Sequence, residues 1–341
     1  MVEAHTIDSW TRATDRERVA FGVGGIVGGF AAPFFLFLAG VAVPLAIASK
    51  VRRGAEPRAA ARAVQRRGWE VFGLALLFRL QAKLLGGGAW AAVLRVDILN
   101  IMGPAIALAA AIVGWKGSRR GTLVALAIAT TLAGVLTPSV RSAAWLAPLP
   151  DYLEAYLRPV RGLANFTVFP WAGFVLAGAL AGALLAPARD ERAERRLNVW
   201  FGVTGLGLLA GAYAASYLPP VFGPSYFWTS SPAFFAMRVG ILTLALPLAF
   251  LWARRPTGHH WSWMQQFGRT SLFVYWIHVE MVYGTLSQSL HRALSLPQWA
   301  VAYVLFLAFL LGVSVLKDRA VRTWRGRATG KPATKNLELK Q

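Results

Sequence analysis

From residue 30 onward, long apolar stretches alternate with short polar loops. Each stretch holds close to the ~20 residues that a helix needs to cross a ~30 Å hydrocarbon core. In lipid every backbone N–H and C=O group must be paired within the protein, and helices achieve this locally. The pattern predicts nine transmembrane helices, at residues 30–49, 69–86, 97–115, 121–138, 163–186, 198–218, 234–253, 270–290 and 298–316.

The composition agrees with this pattern. Hydrophobic residues make up 56% of the chain and charged residues only 15%. The expected fold is therefore an all-α, polytopic transmembrane helical bundle. The chain contains no cysteine, which excludes disulfides, thiolate nucleophiles and Cys-ligated metals.

The distribution of positive charge predicts the orientation. Under the positive-inside rule the Lys- and Arg-rich loops are cytoplasmic, which places the C-terminus inside the cell. A net charge of +21 would suggest nucleic-acid binding in a soluble protein. Here we interpret it as a topology signal that also anchors the protein to anionic lipids, and we expect no nucleic-acid partner. Most of the Lys and Arg residues lie in alternate loops, at 50–68, 116–120, 189–196, 254–269 and after 316.

Three segments are expected along the chain. Residues 1–18 are polar and would form an outer-face N-terminal segment, and residues 19–316 would form the transmembrane domain. Residues 317–341 are basic and poor in apolar side chains, so we expect a disordered cytoplasmic tail.

Residues 19–29 are rich in glycine, which disfavours a stable helix, so we expect a surface or re-entrant segment there. Gly24 and Gly28, like Gly25 and Gly29, have a four-residue spacing that allows helices to approach closely. This spacing indicates packing and no functional site.

Ionisable residues within the spans are costly and mark candidate sites. Arg79 and Lys83 are four residues apart in the second span and so share a helix face. Two cations on one face call for an anionic partner, either Asp97 or Glu280 in a structural ion pair or a phosphate-bearing ligand. Lys83 could instead extend toward the membrane surface.

The eighth span contains a buried histidine. Tyr275 and His278 are three residues apart and lie on roughly the same face, whereas Glu280 lies about 200° further around the helix from His278. His278 and Glu280 therefore do not form a dyad. The pattern leaves open whether His278 is a hydrogen-bonded structural residue or part of a site.

His5 lies in a polar segment expected at the outer mouth of the bundle. Histidine is the side chain best suited to take up and release protons near neutral pH. If this segment is helical, Asp8 lies on the same face and could orient the imidazole. Other polar residues are expected near the same surface, namely Arg95, Asp97, Asn100, Asn165 and Arg238.

Four motifs together resemble the membrane domain of heparan-alpha-glucosaminide N-acetyltransferase and its bacterial relatives. They occur in the family's order across most of the chain. They are FFLFLAGVAVP at 34–44, VDILNIMG at 96–103, FPWAGFVLAG at 169–178 and GRTSLFVYWIH at 268–278.

The resemblance implies an enzyme that passes an acyl group, expected to be acetyl, from cytoplasmic acyl-CoA to a sugar or glycan acceptor at the outer face. It implies that His5 is the base or acyl carrier. Our hypothesis for the mechanism adds that Asp8 or Asp97 orients the imidazole. Asn100, Asn165 or Arg238 would stabilise the oxyanion or hold the sugar, and Tyr275 and His278 would line the route. We expect no metal and a bacterial inner membrane location, and oligomerisation stays open.

The resemblance also raises a difference from the family. The family's first helix, which precedes the histidine, is absent because His5 follows four residues after Met1. We expect a truncated start, and restoring the helix would give ten spans. Other hypotheses remain: an inactive or structural membrane protein, or a transporter or flippase of a lipid-linked sugar with a polar path of Arg79, Lys83, Arg238 and Glu280.

Overall fold

The computed structural model describes residues 1–87, 89–115, 117–219, 225–254 and 261–328. Throughout these residues the chain is built from α-helices joined by short loops and 3₁₀ turns. Extended pairing within them is limited to two isolated bridges, Thr11 with Leu294 and Val96 with Ala164. The predicted all-α fold is confirmed.

The helices are numbered along the chain. They are α1 Val2–Trp10, α2 Val19–Gly29, α3 Ala31–Arg52, α4 Pro57–Gly86, α5 Ile98–Gly114, α6 Arg119–Val135, α7 Thr137–Arg141, α8 Asp151–Leu157, α9 Val168–Leu185, α10 Glu191–Ala215, α11 Pro232–Ala253, α12 Trp263–Arg269, α13 Ser271–Tyr283 and α14 Leu296–Ala328.

Each of the nine predicted spans overlaps a helix, but the number of spans is not confirmed. Among the described residues, 5 helical stretches are long and apolar enough to cross a membrane. The others are interrupted by charge or too short: α4 carries several Arg side chains, and α13 has only 13 residues. The chain is an integral membrane protein. The five stretches are Val19–Arg52, Val168–Leu185, Glu191–Ala215, Pro232–Ala253 and Leu296–Trp324.

The helices form two compact units. Residues 1–29 join the chain from 257 onward, and we call this the terminal unit. Residues 30–256 form the second, which we call the central unit. The expected division at residue 18 is therefore not where the chain separates, because α1 and α2 both belong with the C-terminal helices.

Close helix packing in the central unit depends on glycine. In α3 and α9, Gly40 and Gly178 each face backbone of the opposite helix, and a Cβ atom on either residue would overlap a carbonyl oxygen there. Small residues at such positions let membrane helices approach closely enough for backbone to contact backbone. The 34–44 and 169–178 motifs thus contribute one shared packing surface.

In the terminal unit, α2 packs against α1 through its glycines. A Cβ on Gly28 would lie 2.8 Å from the Cβ of Ala4, and Gly24 faces Ile7 and Glu3. The predicted packing role of Gly24 and Gly28 is confirmed. The expectation that 19–29 is not a regular helix is wrong, since close contact with α1 and the need for internal hydrogen bonds offset the cost of glycine.

We expect Gly28→Val to destabilise the terminal unit, because α1 would have to move away from the added side chain. Overpacking of this kind typically costs about 1–3 kcal/mol. Gly25→Val is the matched control, since a Cβ at Gly25 meets no atom within 4 Å. The Tm of the purified protein in detergent provides the measurement, and equal Tm values for the two variants would contradict this packing.

The last helix extends beyond the predicted end of the last span. α14 continues to Ala328, so the expected disorder from residue 317 is wrong for residues 317–328. This extension is held to α12, where Gln266 Nε2 donates to Asp318 Oδ2 at 2.9 Å and to the Ser314 carbonyl oxygen at 3.2 Å. Residues 329–341 of the predicted tail lie outside the described residues.

Candidate active site

His5 lies in the middle of α1, half-buried against α13. Its Nδ1 atom is 3.0 Å from the hydroxyl oxygen of Tyr283, the last residue of α13. The two rings meet edge to face, with centroids 5.3 Å apart. The segment around His5 is helical, and the phenol is a long-range partner that local spacing does not reveal.

The carboxylate expected beside His5 has a different partner. Asp8 follows His5 by three residues on the same helix, but its side chain is 63% exposed and its Oδ1 atom lies 3.5 Å from Arg16 Nη2. Asp8 therefore pairs with a cation beyond the end of α1. The structure does not show the expected His5–Asp8 dyad, and the group on His5 Nδ1 is a phenol.

His278 packs against the other side of His5. It is 1% exposed, and its ring centroid lies 5.2 Å from that of His5, with an edge-on arrangement. Its Nδ1 atom is 2.7 Å from the Val274 carbonyl oxygen, which can only accept a hydrogen bond, so neutral His278 carries its proton on Nδ1. Its Nε2 atom is a buried acceptor without a hydrogen-bond partner among the described residues.

Tyr275 completes a row of four rings. Its centroid is 5.6 Å from that of His278, which confirms that these two side chains share a face of α13. The row runs Tyr275, His278, His5 and Tyr283, and the last two are joined by the hydrogen bond. Glu280 lies on the same helix and is half-buried.

Hydrogen bonds made by residues that follow His5 join α1 to its neighbours. Trp299 Nε1 donates to Thr6 Oγ1 at 3.1 Å, and Ser9 Oγ donates to the Val282 carbonyl oxygen at 3.1 Å. The Leu294 amide donates to the Trp10 carbonyl oxygen at 2.9 Å. Because these bonds join α1 to α13, α14 and the loop between them, the His5 backbone is held on three sides.

A second polar cluster lies in the central unit. Arg79 Nη2 is 2.6 Å from Asp97 Oδ2, and these side chains are only 16% and 14% exposed. Asp97 is also the N-cap of α5, where it forms a capping box with Asn100. Of the two carboxylates considered as partners for Arg79, Asp97 is the one that pairs with it in the structure.

The same cluster includes the loop that carries α8. Asn100 Nδ2 donates to the Tyr156 hydroxyl at 3.5 Å. Burial raises the pKa of that hydroxyl, although the Asn100 hydrogen bond opposes the shift. Arg95 Nη2 donates to Asn165 Oδ1 at 3.2 Å, beside the bridge that joins Val96 to Ala164. Asp97, Asn100 and Asn165 are thus connected through adjacent segments.

The remaining predicted cations contact aromatic rings. Lys83 Nζ lies 5.2 Å from the Trp90 ring centroid. The Arg238 guanidinium lies 4.2 Å from the Phe234 centroid and 5.9 Å from that of Phe30. Its Nε atom is buried without a hydrogen-bond partner among the described residues. Both contacts are favourable cation–π geometries.

The central unit also contains a cavity of about 1070 Å³. It lies at the helix ends next to the loops predicted to be cytoplasmic. Sequence reasoning expected basic loops on that side but did not predict a cavity, because the lining comes from seven helices and their flanking loops. Its polar lining includes Arg52, Arg119, Arg189, Glu194 and Asn198.

Comparison with known proteins identifies the family. The sequence model described as heparan-alpha-glucosaminide N-acetyltransferase, catalytic, matches residues 1–206, which is more than half of the chain. The chain belongs to this family. No curated protein matches the chain.

Membership in the heparan-alpha-glucosaminide N-acetyltransferase family confirms the resemblance found in the sequence. Together with the apolar helices, it indicates a membrane acetyltransferase acting on glycans, and the family uses acetyl-CoA as donor. The matched range includes His5, the cluster around Asp97 and most of the cavity lining. It ends before α13, so the rings that surround His5 are identified by the structure alone.

Proposed function

We propose that this protein transfers an acetyl group from cytoplasmic acetyl-CoA to an amine or hydroxyl of a glycan at the outer face of a bacterial inner membrane. The C-terminus would be cytoplasmic, as the charged loops predict. The observation that carries the proposal is the imidazole of His5, held between a phenol and a second imidazole in a chain of this family.

His5 would act in one of two ways. As a base, it takes the proton from the acceptor while the acceptor nitrogen or oxygen bonds to the acetyl carbonyl carbon. The C–S bond of the thioester breaks, and the CoA thiolate leaves and recovers that proton. As a carrier, a His5 nitrogen bonds to the carbonyl carbon while the C–S bond breaks and CoA leaves as the thiolate. The acceptor then bonds to the same carbon, the C–N bond to the imidazole breaks, and the proton lost by the acceptor goes to the thiolate.

The cavity in the central unit is our candidate for the nucleotide end of acetyl-CoA. Its volume is large enough for a ligand of cofactor size. Three of its lining residues, Arg52, Arg119 and Arg189, are cations. Guanidinium groups bind phosphate oxygens through charge-assisted, often bidentate hydrogen bonds. The phosphates of coenzyme A fit this lining.

The cluster around Asp97 is our candidate for the acceptor. A sugar presents several hydroxyl groups that both donate and accept hydrogen bonds. Carboxylate and amide groups such as Asp97, Asn100 and Asn165 complement them, and Arg238 would serve the same ligand. Because Arg79 is already paired with Asp97, its role would be to hold that carboxylate in place.

The proposal is tested with radiolabelled acetyl-CoA added to the cytoplasmic side of inverted membrane vesicles, with glucosamine as the probe acceptor. We expect covalent acetyl-glucosamine to form. Movement of a labelled sugar across the membrane without acetylation would instead support the transporter hypothesis. Absence of both activities with a folded protein would contradict the proposed enzyme for this acceptor class.

We expect Arg119→Gln to raise KM for acetyl-CoA about 10-fold, because one charge-assisted hydrogen bond to phosphate is lost. The matched control is Arg120→Gln, since Arg120 is the next cation on α6 and does not line the cavity. Initial rates over a range of acetyl-CoA concentrations give the measurement. Equal KM values for the two variants would contradict the proposal that acetyl-CoA binds in this cavity.

A further inference from the structure

Tyr283 is the hydrogen-bond partner of His5. It lies at the end of α13, and its hydroxyl is 3.0 Å from His5 Nδ1. The residue is 46% exposed, so the hydroxyl can donate its own hydrogen to water and still accept one from the imidazole. A phenol at this distance forms a hydrogen bond with Nδ1, so Nε2 is the ring nitrogen that would meet a substrate.

The surroundings of His5 also restrict its rotation. The His278 ring packs edge-on at a centroid distance of 5.2 Å, and Tyr283 meets the ring at 5.3 Å. His278 is itself fixed, because it is buried and its Nδ1 donates to the Val274 carbonyl oxygen. A 180° flip of the His5 ring would put Cδ2 in the place of Nδ1 and Cε1 in the place of Nε2, and so would break the bond to the phenol.

A reacting histidine needs its lone pair on the nitrogen that meets the substrate. Which ring nitrogen carries the proton is set by the hydrogen bond that the other nitrogen makes. If Tyr283 accepts a hydrogen bond from Nδ1–H, then Nε2 is unprotonated and can take a proton or an acyl group. The imidazolium or acyl-imidazolium that follows keeps the same Nδ1–H bond to the phenol oxygen.

We propose that Tyr283 is the positioning residue of His5, accepting a hydrogen bond from Nδ1–H and so committing the imidazole to react through Nε2. This inference rests on the proposed function, in which His5 is the reacting group. It assigns to Tyr283 the orienting role that the sequence suggested for Asp8, and it adds no new contact to the substrate.

The kinetic test is Tyr283→Phe, which keeps the ring and removes only the hydroxyl. We expect kcat to fall about 10-fold while KM for acetyl-CoA changes less than about 2-fold, since a positioning bond affects the reacting group and not donor binding. Tyr303→Phe is the matched control, because Tyr303 belongs to the same unit and stacks on Trp299. An unchanged kcat in Tyr283→Phe would overturn the inference.

A spectroscopic test of the same inference does not depend on measuring enzyme activity. The protein is labelled with ¹⁵N-histidine, and the His5 signals among the 5 histidines are identified by comparison with His5→Asn. We expect neutral His5 to carry its proton on Nδ1 in the wild type and to populate both tautomers in Tyr283→Phe. A wild-type His5 protonated on Nε2 would overturn the inference, whether or not acetyl transfer is detected.

Discussion

Replacing His5 with alanine is expected to lower kcat for acetyl transfer by about 10²- to 10⁴-fold, the range typical for loss of a general acid–base residue. The physical reason is that the variant lacks the imidazole that would take the proton or the acetyl group in the proposed reaction. The loss should be similar for glucosamine and for water as the final acceptor, since both routes would pass through the same nitrogen.

The control for this experiment is His291→Ala. His291 belongs to the same unit, and its Nε2 atom lies 2.9 Å from the Val282 carbonyl oxygen and 3.3 Å from Ser287 Oγ. The His291→Ala substitution removes an imidazole from the loop before α14 and leaves His5 in place. We expect kcat to stay within a few-fold of the wild type. If His5→Ala retained wild-type kcat while remaining folded, His5 would not be the reacting group.

Asp97→Asn is expected to lower the free energy of unfolding by about 3 kcal/mol, because it leaves the Arg79 guanidinium without a counter-charge in a poorly hydrated position. The pair is close, with Nη2 and Oδ2 only 2.6 Å apart, and both side chains are less than one-fifth exposed. Asparagine is as good an N-cap as aspartate, so the helix cap of α5 is retained. The change therefore isolates the loss of charge.

The measurement is denaturant unfolding of the protein in detergent, followed by tryptophan fluorescence. Glu70→Gln is the matched control, since Glu70 pairs with Arg67 at 3.0 Å but both side chains are at least half exposed. An exposed pair contributes about 1 kcal/mol or less. Adding Arg79→Met to Asp97→Asn should restore most of the lost stability, and failure of this rescue would contradict a role for the unpaired charge.

The architecture was largely predictable because a helix that can cross a membrane is recognisable from a long local run of apolar residues. Apolar stretches predicted spans at α3, α9, α10, α11 and α14, and the structure has a helix long and apolar enough to cross a membrane at each of these places. Elements whose stability comes from packing were harder to predict. The glycines of α2 disfavour a helix taken alone, and its contacts with α1, such as that of Gly28 with Ala4, are not visible in the local sequence.

The candidate site was predictable where its contacts are local or where chemistry demands a partner. A buried Arg79 requires an anionic partner, and Asp97 was one of the two carboxylates that the sequence suggested. His278 and Tyr275 were placed on one face by their spacing. The partner of His5 was missed, because Tyr283 is 278 positions away and nothing in either local sequence links them.

The terminal unit joins the first residues of the chain to the last. α1 carries His5, but the rings that surround it belong to α13, and α14 supplies the bond from Trp299 to Thr6. During synthesis α1 leaves the ribosome long before its neighbours exist. The environment of His5 therefore cannot be completed until almost the whole polypeptide has been made. A stop codon between residues 257 and 270 would leave the sequence of the central unit complete, yet the product would lack the rings that surround His5.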